Sequence, residues 1–501
     1  MKLTCATREQ VKADALVVGV TTIKDKRSAP GLKVFGEHAN KHANWLLGNQ
    51  TTSLGAKSVQ SVPGDKNEAV VVLVGLGDPA KLTQEQLGAC LHAALKHVKG
   101  LGFSNVATTL VTDAMAKDGL SEELATRALT HGALIGNLSF DQWKSKPKGK
   151  DAKKPQAAVK SLQLVHEKPA KIRQIASNEA IIAEAVNDAR LLANTPANIA
   201  TPKWMAAQAR ARGRKYGFKV NVKGRSQLRR EGYGAMCGVA QGSSNEEQLI
   251  VMEYAPAKVT KSTKTLAIVG KGVCFDSGGI SLKPGHGMWD MKYDKCGACN
   301  TIALMGAVAR LKPNHKIVGI TPCVENMPSG TAQRPGDIVS AKNGTTIEIL
   351  NTDAEGRLIL ADAVFEATKH KPKWIIEMST LTGACEIAVG STYVAVMSKD
   401  DEFASSIVAV ARTAGDKAWQ LPQGEEFDEA NKGTYADMQN ISLTSKAGTS
   451  IGGSFVGHFA GDTTFAHLDI ASKAWTGGVD YFAKGPTGAG LRIALARILA
   501  E

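Results

Sequence analysis

The sequence predicts an α/β protein: a smaller N-terminal α/β domain, then a larger C-terminal α/β domain with a central mixed sheet covered by helices. Three observations predict it. Short apolar runs alternate with amphipathic stretches along the chain, the pattern of strands joined by helices. The 501 residues are about three times a typical single domain. A lysine-rich interruption near residue 150, followed by a long helical stretch, divides the two halves.

Taken in order, Ala15–Val20 and Ala69–Val74 read as apolar strands. The second runs into Gly75-Leu76-Gly77-Asp78-Pro79, which lacks the third glycine of a dinucleotide fingerprint and reads as a turn. Residues 83–99 carry apolar side chains at helical spacing, and Val106–Val111 reads as a third strand. Residues 144–154 hold six lysines, one Asp, one Pro and one Gly, too polar to bury, and read as an exposed, mobile loop. After a strand at Ser161–Val165, a helix is expected over Ile172–Asn194, stopped by Asn194-Thr195-Pro196-Ala197-Asn198. The expected division is residues 1–170, a connecting helix 171–194, and a second domain 195–501. Its strands are expected at Gln248–Tyr254, Thr265–Val269, Ile317–Cys323, Thr346–Leu350, Trp374–Met378, Tyr393–Met397 and Ala466–Ile470, with helices such as Cys299–Leu311 and Ile359–His370 between them.

Composition excludes several classes. Apolar residues at 43% and charged residues at 22% are ordinary for a soluble globular protein. No apolar run is long enough to span a membrane, and Met1–Arg8 lacks the apolar core of a signal peptide. Eight scattered cysteines fit reduced thiols, so a cytoplasmic location is expected. The net charge of +14 invites a nucleic-acid partner, although the sequence has no helix-turn-helix, zinc finger or aromatic RNA motif.

The chemistry gathers where strands end in the second domain. Lys271 and Asp276 follow the strand Thr265–Val269, Asp294 lies in Met291-Lys292-Tyr293-Asp294, and Asp353 and Glu355 follow Thr346–Leu350. Crowded carboxylates repel one another, and divalent cations resolve the repulsion. Two ions at one point would make a hydrolytic site. Lys283 and Arg357 then read as cations that hold developing negative charge. Lys271 could serve as a neutral amine ligand if burial and metal charge depress its pKa. Taken singly, each segment is a weak signal and reads as turn or capping chemistry.

Asn351-Thr352-Asp353-Ala354-Glu355-Gly356-Arg357-Leu358 resembles the signature octapeptide of the leucine aminopeptidase (cytosol aminopeptidase) family of two-metal exopeptidases. The spacings Lys271 to Asp276 (5), Lys271 to Lys283 (12), Asp276 to Asp294 (18) and Asp294 to Asp353 (59) are similar to the family's. So are Glu325–Gly330, Arg334–Asp337, Thr380–Ala384 and His467–Ala471. The resemblance implies a metal-dependent aminopeptidase that removes leucine and other mostly apolar N-terminal residues through a metal-activated bridging water. It implies Lys271, Asp276, Asp294, Asp353 and Glu355 as ligands of two Zn²⁺ or Mn²⁺ ions, with Asp276 and Glu355 bridging. It implies that Lys283 polarises the scissile carbonyl, and that Arg357 holds a bicarbonate ion acting as general base. It implies Met291, Asn351, Thr380, Leu381 and Gly383 as substrate-pocket positions, and a homo-hexamer acting on peptides with a free N-terminus. DNA binding through the basic surface is an alternative, additional role.

Lys295, Cys299-Asn300 and Trp289 depart from the family's usual residues. Lys295 either alters side-chain preference or metal affinity, or snorkels away from the site. Cys296-Gly297-Ala298-Cys299 reads as buried thiols opening a helix, there being no second pair at zinc spacing. Gly448-Thr449-Ser450-Ile451-Gly452 matches the serine-hydrolase pattern without the strand it needs, so its Ser and Thr are expected to cap a helix. The eleven histidines lie outside the metal motifs and read as surface or core residues, His467 among them.

Overall fold

A computed structural model of the chain describes all residues except 24–25, 35–42, 45–46, 49–54, 64–68, 117, 146–157, 445 and 479. Most of the lysine-rich loop expected at 144–154 therefore lies outside the described residues. The chain forms two compact units, residues 1–184 with 477–483, and residues 185–476 with 484–501. The division falls inside the helix Pro169–Asn194.

In the N-terminal unit, Lys2–Ala6, Ser161–Val165, Asn105–Thr108, Ala15–Ile23 and Val70–Gly77 lie side by side in that order, all parallel. Val59–Val62 closes one edge in the antiparallel sense. Ala15–Val20 is buried without alternation, because both faces of the sheet are covered. Gln84–Gly100 and Glu122–Gly136 pack on one face through Leu87, Leu91, Ala94, Ala125 and Leu129. The strand expected at Val106–Val111 stops at Thr108, and Leu110–Ala114 is a short helix. The Thr108 hydroxyl accepts from Leu110 N at 3.2 Å, and Asp113 captures the Thr109 hydroxyl at 2.7 Å. These side-chain bonds offer the backbone a turn in place of a ladder.

In the C-terminal unit the central sheet runs, in spatial order, Ala418–Gln420, Val394–Met397, Thr464–Asp469, Trp374–Ser379, Thr265–Gly270, Lys316–Asn326, Gln248–Tyr254 and Lys219–Gly224, with Gly272–Asp276 pairing alongside Lys316–Asn326. It is mixed: Thr464–Asp469, Trp374–Ser379, Thr265–Gly270 and Lys316–Asn326 are parallel neighbours, and Gln248–Tyr254 runs antiparallel to both of its neighbours, Lys316–Asn326 and Lys219–Gly224. Lys219–Gly224 and Gly272–Asp276 are strands that the sequence does not announce. Conversely, the strand expected at Thr346–Leu350 shrinks to Thr346–Glu348 and joins Ile338–Ser340 and Met438–Gln439 in a separate small sheet. Cys296–Leu311 is buried along nearly its whole length, and Gly356–Thr368 packs into the main core through Leu358, Ile359, Ala363 and Val364. The parallel strands end together at Gly270, Ser379 and Asp469, where an α/β sheet offers its crevice. Among the described residues, no helix is long and apolar enough to cross a membrane.

Candidate metal centre

Each carboxylate reaches the crevice on a different element. Asp276 ends the strand Gly272–Asp276, and Asp294 closes the 3₁₀ turn Met288–Tyr293. Asp353 lies on the turn before the helix Gly356–Thr368, and Glu355 is the residue that precedes its first turn. Asp276, Asp353 and Glu355 each offer an oxygen, all three within 4.8 Å of one another. Two ammonium groups are threaded among the acids. Lys271 Nζ lies 2.8 Å from Asp294 Oδ1 and 2.9 Å from Glu355 Oε1. Lys283 Nζ lies 2.9 Å from Asp276 Oδ2 and also pairs with Asp353.

Burial sets the electrostatics. Desolvation pushes the Glu355, Asp294 and Asp353 carboxyls above their ordinary range, and the neighbouring charge of Asp276 adds to it. Burial pulls against the charge of Lys271 and Lys283, but the surrounding acids outweigh it and hold both ammoniums firmly protonated. The acids thus outnumber the cations that neutralise them. Asp294 Oδ2 and Glu355 Oε1 are buried without a hydrogen-bond partner among the described residues, Glu355 Oε1 sitting near Lys271 without hydrogen-bond geometry. Orphaned acceptors of this kind carry a desolvation cost that a cation would remove. Hard carboxylate oxygens with one amine suit a divalent ion. The residues therefore fit a divalent metal.

Arg357 occupies the first turn of its helix, buried, with Nε unpartnered among the described residues. Burial lowers its pKa to about 10, against the pull of Glu355 and Asp469. A Cβ on Gly452 would meet Thr382 Cγ2 at 3.0 Å, Leu381 Cδ2 at 3.2 Å and Arg357 Nη2 at 3.7 Å, so the glycine leaves a small cradle beside the guanidinium.

The remaining sequence-predicted positions divide. Thr380 is drawn into the acid cluster: its carbonyl accepts from Lys271 Nζ at 2.9 Å and its hydroxyl donates to Asp294 Oδ1 at 2.6 Å. Asn351 Oδ1 accepts from Asp353 N at 2.8 Å, within the ligand turn. Leu381 packs against the core. Met291 and Gly383 are placed by backbone alone, on the 3₁₀ turn before Asp294 and at the start of Gly383–Val389.

Several organising residues escape sequence reasoning. Asn326 Nδ2 donates to Asp276 Oδ1 at 2.8 Å and to Thr352 O at 3.0 Å, tying two ligand segments together. Asn440, fully buried, accepts from Leu350 N at 2.8 Å and Asn351 N at 3.2 Å, and donates to Asn351 O at 2.6 Å and Ala354 O at 3.4 Å. No local pattern marks Asn440; only the fold brings it under the 350–354 turn.

The departures also resolve. Lys295 does not snorkel: it is fully buried, and Nζ donates to Thr195 O at 3.0 Å and to Lys292 O. Trp289 is 62% exposed, its ring edge-on to His286 at 5.3 Å. Cys296 and Cys299 are buried free thiols at the start of Cys296–Leu311, and Asn300 Nδ2 donates to Ala489 O at 2.7 Å. The expected capping role of Thr449 and Ser450 is not found. Both lie inside the helix Gly448–His458, and Ala447, at φ 52°, precedes it without a side-chain cap. The left-handed backbone at Ala447 turns the chain in, and Thr449 instead meets the Thr382 hydroxyl at 3.3 Å.

The pattern described as the cytosol aminopeptidase family, catalytic domain, matches residues 187–495. The chain belongs to the cytosol aminopeptidase family. The family's N-terminal domain matches residues 17–147. Membership makes the protein a metal-dependent aminopeptidase by class. A probable cytosol aminopeptidase of Pseudomonas fluorescens (strain SBW25) is 41% identical over 434 residues, 86% of this chain and 84% of that one. One from Aromatoleum aromaticum is 38% identical over 96% of this chain and 95% of the relative. The solved structure of the bottromycin maturation enzyme BotP in complex with Mn superposes with a TM-score of 0.84 at 28% identity, over 98% of this chain and 99% of that one.

Proposed function

We propose that this family member removes leucine and other mostly apolar residues from the free N-terminus of peptides. The observation that carries the reading is the set Lys271, Asp276, Asp294, Asp353 and Glu355 brought together, with the buried Asp294 Oδ2 left without a partner among the described residues. When bound there, two Zn²⁺ or Mn²⁺ ions would supply Lewis acidity and an activated bridging water. Asp276, Asp294, Asp353 and Glu355 would hold the ions through their carboxylates, with Lys271 as the amine ligand once the metal charge displaces its proton to water. Lys283, beside Asp276 and Asp353, would offer its ammonium to the scissile carbonyl oxygen and stabilise the charge that develops there. Arg357 and the cradle beside Gly452 suit a small oxyanion such as bicarbonate. Thr380 would hold Asp294 and Lys271 in place, beside the substrate positions Met291, Asn351, Leu381 and Gly383. The test is release from a leucine chromogenic amide with Mn²⁺ or Zn²⁺. Chelator-sensitive release that disappears in Glu355→Ala supports the reading; chelator-insensitive release, or an active Glu355→Ala variant, refutes it.

A second reading, duplex DNA binding, is favoured by residues 201–230, which carry ten Lys or Arg and no Asp or Glu. Lys203, Arg210, Arg214, Lys215, Lys219, Arg229 and Arg230 are exposed. Phosphate contacts would give affinity that falls steeply with salt. Weak, salt-independent binding, unchanged by neutralising Arg210 and Arg214, rejects it.

A further inference from the structure

The parallel strands Trp374–Ser379 and Thr464–Asp469 place Glu377 directly beside His467 and Ser379 beside Asp469. Glu377, His467 and Asp469 are all fully buried. His467 Nδ1 lies 2.5 Å from Glu377 Oε2, which also accepts the Ser379 hydroxyl at 3.1 Å. His467 Nε2 lies 3.8 Å from Asp469 Oδ2, too far for a hydrogen bond but close for a charge pair. Two neutral neighbours also meet the ring: Met397 is its partner on Val394–Met397, and Gly453 of Gly448–His458 sits against Cδ2. Arg357 interacts electrostatically with Asp469.

Asp469 spends its lone pairs on the substrate loop. Oδ2 accepts from Thr382 N at 3.1 Å and from the Thr382 hydroxyl at 2.7 Å; Oδ1 accepts from Leu381 N at 3.3 Å and Ala471 N at 3.1 Å. One residue earlier, Thr380 holds Lys271 and Asp294. Two carboxylates in one dry layer repel unless a cation lies between them. Burial opposes charge on His467, but Glu377 and Asp469 outweigh it and push the ring up to about 9.

We propose that His467, held between Glu377 and Asp469, is a positioning residue for substrate: as an imidazolium it places a positive charge between the two carboxylates, and Asp469 pins the 380–383 loop in register with the metal centre. The proposal rests on the aminopeptidase reading for its kinetic arm only. His467 touches no reacting atom, so its loss should loosen binding more than chemistry.

The experiment compares the metal-loaded full chain with His467→Gln and Asp469→Asn. Both variants should raise KM by about tenfold with kcat changed by less than about threefold. Hydrogen exchange should quicken in peptides spanning 380–385 and stay unchanged in the strand Thr265–Gly270. Histidine-selective ¹⁵N spectra of the parent at pH 7.5 should show one doubly protonated ring that is absent from His467→Gln. If His467→Gln fails to fold, Glu377→Gln/His467→Gln, which removes both charges of the closest pair, takes its place. Unchanged KM with unchanged exchange, faster exchange spread evenly over the C-terminal unit, or a neutral His467 ring each overturns the proposal. An inactive parent defeats the aminopeptidase reading instead, and the exchange and ¹⁵N results still decide the role of His467.

Discussion

Asp113 in the N-terminal unit and the acid cluster of the C-terminal unit are both buried carboxylate sites, built on opposite principles. Asp113 is saturated by neutral donors: Gly19 N at 2.7 Å, the Thr109 hydroxyl at 2.7 Å and Gly31 N at 2.8 Å. The backbone closes so tightly on it that a Cβ at Gly19 or Gly31 would lie 2.8 Å from an Asp113 atom. Each Asp113 oxygen thus has at least one donor among the described residues. The cluster at Asp276, Asp294, Asp353 and Glu355 is paired to lysines and still leaves Asp294 Oδ2 without a partner among the described residues. Saturation by neutral donors marks an acid that holds the fold; incomplete satisfaction among cations marks one that awaits a ligand.

The largest effect should come from the cluster. Glu355→Gln is expected to lower kcat/KM by at least about 10³-fold, since it removes a proposed metal ligand. Its carboxyl is disfavoured as the anion in the metal-free fold, so the metal-free variant should melt no lower than the metal-free parent at pH 8. Steady-state kinetics and calorimetry check the pair of outcomes. A lower melting temperature with retained activity would place Glu355 in the same class as Asp113.

The converse holds for Asp113→Ala. It strands three buried donors, and should cost about 3 kcal/mol of stability while leaving activity per folded molecule unchanged. Urea unfolding followed on the intact chain, with turnover measured in parallel, is the check.

Asn440 lies between the two classes, fully satisfied yet bonded to the turn that carries Asp353 and Glu355. Asn440→Ala should weaken Mn²⁺ affinity by about 10- to 100-fold, as outer partners of ligand segments do, with a smaller fall in stability. Metal titration by calorimetry measures it. An unchanged affinity would move Asn440 to the side of Asp113.

Asn440 also shows where the sequence runs out. Residues 351–358 keep their chemistry within eight consecutive positions, so the ligand turn is legible without a fold. Asn326 and Asn440 act across 50 and 89 residues on Asp276 and on Asn351. An asparagine at a strand end or in a turn looks the same whether it faces water or a ligand turn. Among the strands, Gly272–Asp276 is hidden because its register shifts between Val273 and Asp276, and Lys219–Gly224 because it is an edge strand rich in polar residues. Residues 477–483, which group with the N-terminal unit, are joined to it only in three dimensions.

The smallest effect is a pH slope. Burial raises Asp113 to about 6, although Gly19, Thr109 and Gly31 all donate to it. Unfolded, an aspartate titrates at about 3.9. The folded state therefore binds this proton more tightly than the unfolded one. The stability contributed by the protonated carboxyl is complete below about pH 4 and is lost as pH rises through about 6. Above that range the three donors hold an anion whose desolvation they only partly offset. In Asp113→Asn this titration is gone, so the difference in stability between parent and variant should shift between pH 4 and 6 and be flat above it. Urea midpoints of the two proteins across that range measure the shift. A difference that does not change with pH would mean that Asp113 is already ionised when buried, and that its three neutral donors suffice to hold a charge.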